Sequence, residues 1–88
     1  MKPRITINLT ADGSLEIWLN ETGRDLLVEQ LQSLDENNDH LHFGQTEADD
    51  IEVSSRPYSP SDKILGHGKV LFRTDDWDRQ YFPHVLDG

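Results

Sequence analysis

"RITINLTADGSLEIWLNETGRDLLVEQLQSL", residues 4–34, changes its hydrophobic period once, and that change sets the fold class. Over residues 4–10, Ile5, Ile7 and Leu9 alternate with Arg4, Thr6, Asn8 and Thr10, the pattern of a half-buried strand. "ADGS" follows with an Asp-Gly pair at its centre, and Leu15, Ile17 and Leu19 then alternate again. Two such runs around Asp-Gly predict a β-hairpin. Its aliphatic side should face the core, with Glu16 and Trp18 on the opposite side. From residue 22 the period lengthens. Leu27, Leu31 and Leu34 recur at helical spacing, Leu26 and Val28 widen the stripe, and a helix is predicted over 22–34. Asn20 or Thr22 supplies a cap, Glu21 and Asp25 suit the positive end of the helix dipole, and "DENND" ends the element with turn formers.

Outward from this stretch the pattern returns to strands. "HLHFG" places Leu41 and Phe43 on one face and His40 and His42 on the other, and "IEVSS" points Ile51 and Val53 inward. "RPYSPSDK" reads as a loop, its two prolines among other turn formers. "HGKVLFRT" sets Val70 and Phe72 against Lys69, Leu71 and Arg73. In "RTDDWDRQYFP" Thr74 can cap a short helical turn, Asp75 and Asp76 fall in its first turn, and Trp77 and Tyr81 are i, i+4 partners before Pro83 stops it. That turn is expected to plug one end of the core, with Trp77 and Tyr81 as anchors. The whole chain, 1–88, is then expected to form one compact α+β domain. It has an antiparallel sheet of about five strands, order β-β-α-β-β-β, with one helix on one face and a short C-terminal helical turn.

Charge is unevenly spread. The net charge is −9, and no Lys or Arg occurs between Arg24 and Arg56, where nine acids fall; the rest holds eight acids and eight bases. Such a balance argues against nucleic acid, which demands a Lys/Arg surplus. It suits a basic protein partner, because concentrated charge raises association rates. With no cysteine, disulfides and thiolate metal sites are excluded. No stretch has the length and apolarity of a signal peptide or membrane span, so the expectation is a cytoplasmic chain without a membrane partner.

Catalysis finds little support. His40 and His42 share a strand face, and Glu52, His67 or His84 would have to complete a metal site, a weak pattern without cysteine. None of the serines sits in a G-x-S-x-G turn, and "GHGK" lacks the spacing of a phosphate-binding loop. The aspartates near Trp77 are offset by Arg73 and Arg79 and sit as caps, not as a carboxylate pair in unlike environments. The chain is read as a non-enzyme with no metal and no cofactor.

"DGSLEIWLNETGRDLLVEQLQSL", "DHLHFG" and "KVLFRTDDWDRQYFPHVL" together resemble the immunity protein 32 family of bacterial polymorphic toxin systems. The resemblance spans nearly the whole chain and rests on the order and character of segments. It implies a small cytoplasmic protein that binds and neutralises a cognate toxin domain, without catalytic residues, and it transfers no contact residue. The acidic segment supplies the expected contacts: Asp35, Glu36, Asp39, Glu47, Asp49, Asp50 and Glu52. Trp18, His40 and His42 are expected to add a sheet face. The alternative is a small homodimeric regulatory or scaffold module, paired through the Trp18 face or an edge strand over 69–74; the chain is thus expected as a monomer or a homodimer.

Overall fold

The computed structural model describes residues 1–87. The chain is α+β, with strands β1 (Ile5–Leu9) and β2 (Leu15–Leu19), helix α1 (Glu21–Gln32), strands β3 (His40–Gly44), β4 (Ile51–Glu52), β5 (Lys63–Ile64) and β6 (Gly68–Leu71), helix α2 (Asp75–Tyr81) and a closing 3-10 turn, Pro83–Asp87. The hairpin forms as its alternation requires, in unbroken register from Ile5 opposite Leu19 to Leu9 opposite Leu15. Gly13 takes a φ of +88°, which only glycine adopts freely, and the Thr10 and Asp12 side chains accept the Ser14 N–H. Asn20 then ties hairpin to helix. Its Oδ1 accepts the Gly23 N–H (2.7 Å) as N-cap and also the Arg4 N–H (2.9 Å), while its Nδ2 donates to the Lys2 carbonyl (3.0 Å).

The expected single antiparallel sheet of about five strands is replaced by two sheets of three. The first has order β2-β1-β5 and the second β4-β3-β6. β6 runs antiparallel to β3, but β4 is parallel to it, pairing Phe43 with Ile51. The short 45–50 loop makes this turn because Asp49 folds it onto itself, accepting the N–H (3.1 Å) and hydroxyl (2.9 Å) of Thr46. A bond from the Ser54 N–H to the Ile5 carbonyl (2.8 Å) stitches the segment after β4 to β1. Ile5, Leu41, Ile51 and Val53 form the buried centre, and Leu26, Leu27, Leu34, Phe43 and Val70 pack around it.

Three further expectations fail for physical reasons. The side of the hairpin bearing Trp18 is not open. The proline-rich loop folds across it, Tyr58 stacks on Trp18 with ring centroids 4.1 Å apart, and Thr6 and Asn8 beneath are fully buried. The end of that loop supplies β5, whose Ile64 pairs with Asn8. Conversely, the aliphatic residues of β2 do not reach the core: Leu15, Ile17 and Leu19 are 59%, 51% and 39% exposed. Nor is α2 a plug. None of its residues is buried, and Trp77 gathers its aromatic partners from the segment itself, Tyr81 at 4.7 Å and Phe82 at 5.4 Å.

Candidate functional site

β3 presents His40 and His42 outward, because the alternate residues Leu41 and Phe43 are drawn into the core. Pairing with β6 sets His40 opposite Leu71 and His42 opposite Lys69, and the two imidazoles meet edge to face at 5.0 Å. No group of three or more ligand side chains able to hold a metal occurs among the described residues.

Beyond the N-terminal end of β3 the acidic turn meets the start of α2. The Phe72 N–H donates to the Asp39 carbonyl (2.7 Å), extending the β3–β6 ladder and bringing Arg73 alongside Asp39. The Arg73 guanidinium lies 3.0 Å from Asp39 Oδ2, donates to the carbonyls of Asp39 (3.2 Å) and Phe72 (2.8 Å), and rests over the Trp77 ring at 4.7 Å. Thr74 fixes Trp77 by accepting its N–H (3.1 Å) as the cap of α2. The result is an open notch of about 490 Å³ lined by Glu36, Asp39, Asp76, Phe72, Arg73 and Trp77 among others. Asp39 is paired there with Arg73 and Asp76 with Arg79, which among the described residues leaves Glu36 as the carboxylate of the notch without an internal cation, beside an aromatic wall.

The other expected acids lie elsewhere, and most serve the fold. Asp35 Oδ1 accepts the N–H groups of Asn37 and Asn38, each at 2.8 Å, and so shapes the turn leading to the notch. Asp49 closes the 45–50 loop, and Asp50 Oδ2 accepts the His42 N–H (2.8 Å). Glu52 stands 3.8 Å from the Lys2 ammonium. Glu36 and Glu47 have no hydrogen-bond or ion-pair partner within the chain among the described residues. Asp35, Glu36 and Asp39 thus lie before the N-terminal end of β3, and Glu47, Asp49, Asp50 and Glu52 follow its C-terminal end, roughly 13 Å away at about 3.3 Å per residue, with Asp50 reaching back to mid-strand. Trp18 belongs to the first sheet with Tyr58, and each histidine's aromatic partner is the other histidine. Missing from the sequence reading was the joint role of Arg73, Trp77 and Asp39. The capped "RTDDW" was the signal available, but it pointed to a core plug.

The His40 ring N–H donates to Asp39 Oδ1 at 2.8 Å. This bond, then the Arg73 charge, holds the Asp39 carboxyl below the ordinary value of 3.8, although partial burial acts the other way. A depressed folded-state pKa contributes stability above the unfolded value and loses it as pH falls through the folded one. Asp39→Asn should therefore lower stability at neutral pH. The gap between variant and wild type should close progressively below ~pH 4, as read by urea unfolding across the acid range.

No helix among the described residues is long and apolar enough to cross a membrane. Comparison with protein-family models, characterised proteins and solved structures finds no match.

Proposed function

We propose that the protein is an immunity-type binder that captures a cognate basic toxin domain in the cytoplasm and neutralises it by occlusion, without catalysis of its own. The observation that carries this reading is the notch beside Trp77. Arg73 already lies over the indole and against a carboxylate, which is the environment an incoming arginine or lysine would share with Glu36. Beside Trp77, Tyr81 and Phe82 are about half exposed and offer apolar surface that can exclude water from a binding centre. Net charge of −9 would draw a basic partner in. The resemblance to the immunity protein 32 family points to the same class of partner.

The test is association of the purified chain with the toxin domain encoded beside its gene. Stopped-flow association rates should fall steeply as salt rises. Glu36→Lys should slow association, whereas Trp77→Ala should act on dissociation, weakening binding by about 2 kcal/mol or more, some 30-fold. Absence of association, or association at salt-independent rates that neither variant changes, would remove the reading.

A further inference from the structure

β2 is the outer strand of the first sheet, and no strand covers its far side among the described residues. Two backbone bonds fix the direction in which its peptide groups point. The Thr10 N–H donates to the Ser14 carbonyl (2.9 Å), and the Asn20 N–H donates to the Arg4 carbonyl (3.1 Å). In an antiparallel ladder this role repeats every second residue. Glu16 and Trp18 therefore turn their peptide groups toward β1, and Leu15, Ile17 and Leu19 turn theirs to the open edge. These same three residues carry the exposed aliphatic chains.

Natural edge strands are usually guarded by proline, lysine or a bulge. β2 has none of these, since its register with β1 is continuous. Its one charge, Glu16, is held on its own face by the Asn8 amide (3.2 Å) and the Trp18 indole N–H (3.3 Å). The chain also has surface to bury. It exposes 6,486 Å², whereas a compact monomer of this mass exposes about 5,300 Å². Its radius of gyration is 15.0 Å against about 12 Å for 88 compact residues. The exposed aliphatic chains of Leu15, Ile17 and Leu19 are among that surface. A standard interface takes about 800 Å² from each partner.

We propose that a second copy of this chain covers β2, strand against strand, about a two-fold axis through Ile17. Antiparallel pairing then sets Ile17 against the second copy's Ile17 and Leu15 against its Leu19. All the outward N–H and C=O groups of the three residues are paired, and the two sheets merge into one of six strands. The register is self-complementary, because Glu16 meets the second copy's Trp18 and not its Glu16. Charge selects the occupant. Two chains of net charge −9 repel, yet β2 itself carries only Glu16, with Asp12 and Glu21 beyond its two ends, and in this register Glu16 faces no acid. A basic partner is drawn to the notch, whereas an aliphatic edge whose register is self-complementary suits another copy of itself. The homodimer expected from sequence on the Trp18 face or over 69–74 thus moves to β2. It leaves both notches open, so one dimer holds two binding sites.

Sedimentation equilibrium of the full chain should give twice the 10.1 kDa monomer mass. Amide exchange should show slow Leu15, Ile17 and Leu19 protons. Ile17→Pro removes only an outward N–H and leaves the β1–β2 ladder intact, and Ile17→Glu sets two carboxylates at the axis. Both variants should be monomeric with unchanged far-ultraviolet circular dichroism and fast Leu15 and Leu19 amides. Should the proline variant not fold, the glutamate variant decides alone. The proposal is overturned by a wild-type chain that stays at monomer mass, including one whose β2 amides slow only when toxin is added. It is equally overturned by a dimer with fast β2 amides, or one that persists in the folded variants.

Discussion

Asn8→Asp should unfold the protein at neutral pH. Asn8 is 0% exposed, and its amide nitrogen donates to Glu16 Oε1 at 3.2 Å and Asp62 Oδ2 at 3.1 Å, bridging two carboxylates beneath the proline-rich loop. Its carbonyl oxygen is buried and accepts no hydrogen bond among the described residues. Exchanging the amide for a carboxylate removes both donated bonds and places a third negative charge between the first two. A buried charge left without a partner costs about 3–5 kcal/mol. Domains hold only about 5–15 kcal/mol in total, and a chain of 88 residues with four buried apolar side chains among the described residues belongs at the low end. The new carboxyl acts oppositely to that of Asp39, destabilising the fold once ionised, although both variants differ most from wild type at neutrality. The new carboxyl is raised in the folded state by burial and by its acidic neighbours, so its damage is small at acid pH and grows as pH rises through that raised value. Urea unfolding of variant and wild type should therefore show their smallest difference near ~pH 4 and their largest at neutrality.

Gly23→Ala should destabilise by about 2–3 kcal/mol, the range of an overpacked core position. The usual expectation is a gain, since alanine is favoured over glycine inside a helix by about 1 kcal/mol. Here a Cβ would stand 2.4 Å from the Arg4 carbonyl oxygen and 3.0 Å from Asn20 Oδ1. The first of these is backbone and cannot rotate away. Relief requires the start of α1 to leave β1, which pulls apart the joint that Asn20 makes with Gly23, Arg4 and Lys2. Thermal unfolding should show a fall in midpoint of roughly 10 °C or more. A midpoint at or above that of wild type would mean that the start of α1 has room for a Cβ beside β1.

The elements that local chemistry dictates were legible: the hairpin with its Asp-Gly turn, α1 with Asn20 as one of two candidate caps beside Thr22, the alternation of β3, and Thr74 capping α2. What periodicity cannot report is which element covers a face. The alternation of β1 separates Ile5 and Ile7 from Thr6 and Asn8 correctly. It contains no sign that Tyr58 and Asp62 would close over the polar side while nothing closed over Leu15, Ile17 and Leu19. The split into two sheets escaped for a similar reason. The two-residue β4 joins β3 in parallel through a loop of six residues, and its signal lies in the side-chain bonds of Asp49 and Asp50, which look like any acids in a loop. At the notch, the acids were legible as charge. Their proximity to Trp77 depends on the ladder bond from Phe72 to Asp39, a tertiary event.

That most of these acids also shape the backbone restricts how the surface can diverge. Asp35, Asp49 and Asp50 each hold a turn or strand in place, and Asp39 positions Arg73, so a lineage that altered them would distort its own loops while changing its charge. Glu36 and Glu47 carry no such duty. A protein that must keep pace with a changing opponent would have these two positions as its free alphabet, and only Glu36 opens onto the notch. Variation among close descendants should concentrate there, while the other acids stay as they are.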